Sequence, residues 1–87
     1  MQQFKVGDRV RVAAEYHWAG LAAGTIQLPP TPVTELAPEW NGPHRPVKML
    51  KGVISFYWVE FDVPQLDSDG DGPYNAGEIE ETYLAPL

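Results

Sequence analysis

The chain has 87 residues, 44% of them hydrophobic and 11% aromatic, which is enough for a single folded domain spanning 1–87 and too little for two cores. It contains no cysteine, so disulfides, thiolate metal sites and a cysteine nucleophile are excluded. No apolar run approaches the roughly 18 residues that a membrane span needs, and residues 1–4 do not open like a secretory signal. We therefore expect a cytoplasmic protein that makes no membrane contact.

The net charge of −6 is unevenly distributed along the chain. Residues 1–51 contain all 6 Lys and Arg but only 4 acids, whereas residues 52–87 contain the other 8 acids and no Lys or Arg. Nucleic-acid binding depends mainly on Lys and Arg contacts to phosphates, and an acidic face repels a polyanion. The sequence therefore argues against a nucleic-acid partner and favours a neutral or basic protein partner.

The first half of the chain predicts two strands joined by an aromatic loop. Val10 and Val12 alternate with Arg9 and Arg11, the period of a strand with one buried face. Residues 15–23 follow as an aromatic loop with room for a helical turn, and residues 24–28 predict a short second strand.

Proline dominates the middle of the chain, with 6 of the 9 prolines between residues 29 and 46. Proline lacks an amide donor and restricts the residue before it. We therefore expect residues 29–50 to form one long Pro-rich loop, inserted into the domain, and residues 29–46 to contain neither a helix nor a central strand.

Residues 53–62 predict the strongest strand, because they are rich in β-branched and aromatic side chains. Its alternation places Tyr57, Val59 and Phe61 in the core, and Pro64 is expected to end it. Residues 77–87 predict a strand, one tight helical turn and a last strand. Several short strands with little helix indicate an all-β fold, a single five-stranded closed barrel with one short helical turn near the C-terminus.

Residues 77–87 resemble the closing segment of Src-homology-3 (SH3) domains. The shared features are a glycine, an apolar strand residue, one helical turn and the pair Tyr83-Leu84. The opening segment 6–12 and residues 24–26 are similar to the first strands of a bacterial and plastid electron-transport accessory group with an SH3-like barrel. That group includes a small accessory chain of photosystem I, the variable chain of ferredoxin–thioredoxin reductase and the C-terminal domain of the nitrile hydratase β chain. The resemblance implies an SH3-like barrel and, as one alternative, a subunit-like domain of a redox or hydratase assembly.

Two departures limit what the resemblance implies about function. The closing turn of peptide-binding SH3 domains contains a proline, and Glu80 occupies that position here. The redox relatives help an acidic ferredoxin to dock through basic residues, whereas residues 52–87 are strongly acidic. Neither polyproline recognition nor ferredoxin docking is therefore expected.

The segment Asp67 to Glu78 matches the spacing of an EF-hand calcium loop. Acids lie at loop positions one, three and five (Asp67, Asp69 and Asp71), a glycine at six and Glu78 at twelve. Calcium takes six to eight oxygen ligands, and carboxylates on a tight loop can supply several. The entering helix of an EF-hand is missing, so the segment is either a calcium-binding loop with these four ligands or an ordinary solvated turn.

The aromatic residues predict a partner surface. Tyr16, Trp18, Trp40 and Trp58 lie in loops or on the outward side of the predicted sheet. Rigid aromatic side chains are common anchors of protein interfaces. Exposed, they mark a protein-binding face or a homodimer contact; otherwise they cap the barrel or lie under the Pro-rich loop.

Catalysis has little support in the sequence. Only two histidines (His17 and His44) and two serines (Ser55 and Ser68) are present, and their spacing indicates no nucleophile with an adjacent base. We predict a non-enzymatic accessory or interaction module that requires no cofactor. A calcium-binding module is the alternative.

Overall fold

The computed structural model describes residues 3–87 as one curled antiparallel sheet with a single short helix, which confirms an all-β architecture. Its elements in chain order are β1 (Arg9–Val12), β2 (Ala23–Ile26), α1 (Thr31–Leu36), β3 (His44–Met49), β4 (Gly52–Gln65), β5 (Tyr74–Glu80), a 3₁₀ turn (Glu81–Tyr83) and β6 (Leu84–Pro86). Within residues 3–87, no helix has the length and apolar character required to cross a bilayer.

The long strand β4 organises the sheet. β4 pairs with β3 through residues 52–57, with β2 through residues 59–61 and with β5 through residues 56–65. β1 then lies between β2 and β6. Val59 of β4 pairs with Ile26 of β2 on one side and with Gly77 of β5 on the other. All of these pairings are antiparallel, so the chain winds from β1 through β2 and β4 to β5 before β6 returns to β1.

The core lies on the concave face formed by alternating residues. The predicted inward side chains of β4 are confirmed, because Tyr57 and Val59 are fully buried and Phe61 is 6% exposed. Val10, Val12, Ile26 and Ile79 complete the set of fully buried side chains. The Tyr57 hydroxyl accepts hydrogen bonds from the amides of Gln3 and Phe4, so the N-terminal segment satisfies this buried polar group.

The Pro-rich segment is not a continuous loop. The prediction that proline excludes a helix from residues 29–46 is wrong, because α1 forms there with Pro32 in its first turn, where a helix makes no use of the amide. Part of 29–50 is also strand, since β3 contains Pro46 and pairs with β4 at the edge of the sheet. An edge strand tolerates proline because one row of its amides has no partner strand.

β4 continues past Pro64 to Gln65, so the prediction that Pro64 ends the strand is wrong. The pairing with β5 jumps from Glu60 to Gln65, which makes residues 61–64 an irregularity on that edge. A bulge leaves residues unpaired, so the missing amide of Pro64 removes no ladder bond.

The C-terminal segment forms a strand, a tight helical turn and a second strand, in the predicted order. Ile79 is fully buried at the end of β5, and Leu84 is 8% exposed at the start of β6. The 3₁₀ turn reverses the chain between them, so β6 lies against β1 and both apolar residues reach the core.

Candidate functional site

Trp18 lies in the loop between β1 and β2 and packs against the end of the core. Its ring meets Phe61 edge to face with centroids 5.4 Å apart, and Tyr74 of β5 at 6.2 Å. The ring also lies on the backbone of Gly77, where an added Cβ would be 2.4 Å from Trp18 Cη2. A half-buried indole is thus held in place by an aromatic neighbour and a glycine.

Tyr16, two residues earlier, attaches the same loop to the C-terminal segment. Its hydroxyl accepts a hydrogen bond from the Glu80 amide at 3.2 Å, and its ring lies 4.8 Å from that of Tyr83. Burial raises the pKa of the Tyr16 phenol, so the hydroxyl keeps its proton at neutral pH. The loop between β1 and β2 is therefore fixed at two points, on β5 and on the 3₁₀ turn.

Two recesses flank this loop. The first, of about 380 Å³, is called the Trp18 cleft and is lined by His17, Trp18, Asp67, Ser68, Tyr74, Ala76 and Gly77. The second, of about 300 Å³, is called the Tyr16 groove and is lined by Glu15, Tyr16, His17, Phe56, Glu80 and Tyr83. His17 lines both recesses, so the Trp18 cleft and the Tyr16 groove lie on either side of this residue.

The charge on this surface has one sign. Carboxylates of Glu15 and Glu80 line the Tyr16 groove, Asp67 lines the Trp18 cleft, and no Lys or Arg among residues 3–87 lines either recess. Most of the other lining residues are aromatic. The arrangement suits a cationic ligand with some apolar surface.

Trp40 and Trp58 belong to a different cluster around Arg45. The two indoles meet edge to face at 6.0 Å, and the Arg45 guanidinium carbon lies 5.9 Å from the Trp40 ring and 5.0 Å from the Phe56 ring. Both indoles are half-buried. The four predicted partner residues therefore do not form one face: Trp58 shares the outward face with its β5 partner Glu78, whereas Trp18 covers the inward-facing Gly77.

The acidic loop brings three of the four predicted calcium ligands together. Carboxylate oxygens of Asp67, Asp69 and Asp71 lie within 4.8 Å of one another. Glu78 is engaged elsewhere, because both of its oxygens accept hydrogen bonds from Arg45, at 2.6 and 3.1 Å. One Asp67 oxygen, Oδ1, already accepts the amides of Asp69 and Asp71, so it shapes the turn from within.

The structure also pairs two residues that the sequence left apart. His44 Nε2 and Ser55 Oγ lie 2.9 Å from each other across the β3–β4 hairpin, with the His44 ring 5.4 Å from Tyr57. Neither residue lines the Trp18 cleft or the Tyr16 groove. Their contact therefore bridges two strands and adds no reactive group to the candidate site.

Sequence reasoning identified Tyr16 and Trp18 but missed most of their surroundings. The lining residues not predicted as partner contacts are Glu15, His17, Phe56, Asp67, Ser68, Tyr74, Ala76, Gly77, Glu80 and Tyr83. The pair Tyr83-Leu84 in the closing segment was the available signal for Tyr83. Tyr74 carries no local signal, because its approach to Trp18 depends on the turn between β4 and β5.

Comparisons with models of protein families, with curated proteins and with solved structures each found no match to this chain.

Proposed function

We propose that this chain is a non-catalytic interaction module with an SH3-like barrel fold, which binds a basic segment of a partner protein on the surface formed by the Trp18 cleft and the Tyr16 groove. The observation that carries the proposal is the composition of that surface. Aromatic and acidic side chains line both recesses, which have His17 in common, and no Lys or Arg of the described chain lines either of them.

The strand path supports the fold assignment. Five antiparallel strands follow one another in the spatial order β6-β1-β2-β4-β5, and a 3₁₀ turn precedes the last strand. This is the path expected of an SH3-like barrel. On this assignment β3 is an additional strand between the second and third barrel strands in the chain, and it pairs with residues 52–57 of β4.

The charge of the surface supports a basic partner over a neutral one. Acidic groups beside apolar rings attract a cationic chain and repel an anionic one, while the rings supply contact area once the chain is bound. Tyr16 is already fixed by Glu80 and Tyr83, so binding requires little ordering of the loop.

The test is an NMR titration of the isotope-labelled protein with three short peptides, in which serine alternates with arginine, lysine or glutamate. We expect the two cationic peptides to shift the amides of residues 13–22 and 81–83, and the glutamate peptide to shift none of them. Glu80→Gln should weaken the binding of the cationic peptides severalfold, because it removes a charge from the Tyr16 groove.

Glu35→Gln is the matched control, since Glu35 is an exposed acid of α1 and lines neither recess. Equal effects of the two substitutions would mean that only net charge matters. That result, or peptide-induced shifts confined to other parts of the sheet, would contradict the proposed surface.

A further inference from the structure

We propose that the Trp18 cleft is a pocket for an arginine side chain supplied by the partner protein. The inference rests on the proposed function, since the partner is the basic segment described above. Two aromatic walls and one fixed carboxylate make this recess suited to an arginine side chain.

The aromatic walls are formed before any ligand binds. Trp18 is held by Phe61 from the core side, and the absence of a side chain at Gly77 lets the indole rest on β5. Tyr74 stands nearly perpendicular to Trp18, with an interplanar angle of 84°, and is 42% exposed. A guanidinium group gains cation–π and stacking energy against such rings, and fixed walls limit the entropy lost on binding.

The carboxylate of the cleft is also fixed. Asp67 Oδ1 accepts the amide hydrogens of Asp69 and Asp71 at 3.0 and 2.9 Å, and neither bond involves Oδ2. The ion pairs within residues 3–87 involve none of the three loop aspartates. No cation of the described part of the chain therefore forms an ion pair with these carboxylates. Asp69 and Asp71, which lie beside Asp67, also add to the negative potential at the cleft.

Arg45 shows that this chain already stabilises a guanidinium by the same combination of groups. Its guanidinium carbon lies 5.0 Å from the Phe56 ring centroid, and its Nε and Nη2 donate to the two oxygens of Glu78. The planar fork of arginine matches a carboxylate and stacks on a ring, whereas lysine offers a compact, strongly hydrated charge. The Trp18 cleft therefore favours arginine over lysine.

The probe is N-acetyl-arginine amide, compared with the corresponding lysine and citrulline amides. Citrulline keeps the planar shape of arginine and lacks the charge. We expect arginine to shift the Trp18 indole N–H and the Asp67 amide saturably, lysine to bind more weakly, and citrulline to give no saturable shift. Asp67→Asn should weaken arginine binding about tenfold, because a charge-assisted hydrogen bond is lost.

Asp69→Asn is the matched control. It makes the same charge change in the same loop, but Asp69 does not line the cleft, so binding should stay within about twofold of the parent value. Asparagine at position 67 retains an Oδ1 acceptor for the two amides, so neither variant should lower the melting temperature appreciably. A second variant, Tyr74→Ala, removes an exposed wall and should also weaken binding.

Three outcomes would overturn the inference: equal shifts with arginine and citrulline, equal affinity for arginine and lysine, or equal effects of Asp67→Asn and Asp69→Asn. The cationic peptides separate this failure from that of the proposed function. If they still shift residues 81–83 of the Asp67→Asn protein, the interaction surface stands and only the arginine pocket is lost. If they shift neither 13–22 nor 81–83 in the parent protein, the proposed function itself fails.

Discussion

Gly77 is the residue on which the position of Trp18 depends most directly. It is buried in β5, and a Cβ there would lie 2.4 and 2.6 Å from two carbons of the indole ring. The ring cannot yield easily, because Phe61 packs against it. We predict that Gly77→Ala destabilises the fold by about 1–3 kcal/mol, the usual cost of overpacking, measured by chemical denaturation.

A double-mutant cycle with Trp18→Phe provides the control. The smaller ring lacks the atoms nearest the new methyl group, so Gly77→Ala should cost less than about 1 kcal/mol in that background. An equal cost in both backgrounds would show that the loss comes from the backbone of β5 and not from the indole contact.

Arg45 holds together the cluster that contains Trp40 and Trp58. Its side chain is 18% exposed, lies against two aromatic rings and donates two hydrogen bonds to Glu78. We predict that Arg45→Ala lowers the free energy of unfolding by about 2 kcal/mol and that Arg45→Lys recovers less than half of this, since lysine lacks the fork. Denaturation of the three proteins measures the difference.

Arg11 is the matched control for Arg45. It is exposed on β1, and the ion pairs within residues 3–87 do not involve it. Arg11→Ala should change stability by no more than about 0.5 kcal/mol. If the two alanine variants were equally stable, the Arg45 cluster would contribute nothing measurable.

Tyr57 makes stability depend on pH in the alkaline range. Burial raises the pKa of its phenol, so the folded protein binds the hydroxyl proton more tightly than the unfolded chain does. The resulting stability is complete below the ordinary tyrosine pKa of about 10 and is lost as the pH rises above that value. We predict that Tyr57→Phe makes the decline of the melting temperature between pH 9 and 11 (about one unit either side of that pKa) shallower than in the parent.

At neutral pH the same substitution should be destabilising by about 1 kcal/mol, because the amides of Gln3 and Phe4 lose their acceptor. Tyr74→Phe is the control, since Tyr74 is 42% exposed and is not one of the core residues. A parallel alkaline decline in the parent and in Tyr57→Phe would argue against the burial effect.

At the scale of elements, the geometry of the turn between β4 and β5 favours the solvated turn over the calcium-binding loop. Three carboxylates converge in this turn. Glu78 is not among them, because it lies on the outward face of β5 and binds Arg45. Calcium takes six to eight oxygens, and the EF-hand arrangement depends on a bidentate glutamate at position twelve. We therefore predict that millimolar calcium raises the melting temperature no more than an equal concentration of magnesium.

The double variant Asp69→Asn/Asp71→Asn provides the comparison for this loop. It removes two of the three convergent carboxylates and leaves Asp67 to shape the turn. A calcium-specific rise of several degrees that disappears in this variant would restore the calcium-binding interpretation.

The strands that alternation or resemblance marked were largely predictable. The register of Tyr57, Val59 and Phe61 follows from period two alone. The strand, tight turn and strand predicted for residues 77–87 are present, although the first of these strands begins three residues earlier, at Tyr74. The elements that were missed depend on where proline lies within them. Pro32 and Pro46 occupy positions that need no amide donor, which local composition does not reveal.

The candidate site was predictable only in part, for a related reason. Composition identified Tyr16 and Trp18 as aromatic residues of a loop, but their neighbours come from the far end of the chain. The Tyr16 hydroxyl meets the Glu80 amide across 64 residues, and Trp18 lies on Gly77. Pairings of this kind follow from the closure of the sheet and not from any local pattern.

For the whole molecule, the uneven charge of the sequence has a structural consequence. Cations from the first part of the chain pair with acids from the second, as Arg9 does with Asp62 at 2.6 Å and Arg45 with Glu78. The hydrogen bond from Arg9 lowers the pKa of Asp62, which keeps this exposed carboxylate charged in moderate acid. Of the acids that remain, Asp67 and Glu80 line the recesses beside the aromatic rings.

This distribution predicts opposite effects of salt on folding and on binding. At a net charge of −6 the folded chain repels itself, so raising sodium chloride from about 20 to about 500 mM should raise the melting temperature by a few degrees through screening. The same change should weaken binding of the arginine-serine peptide by about tenfold or more, because attraction to the acidic recesses is screened as well. Calorimetry and titration on one sample series measure both, and a peptide affinity independent of salt would contradict an electrostatic interface.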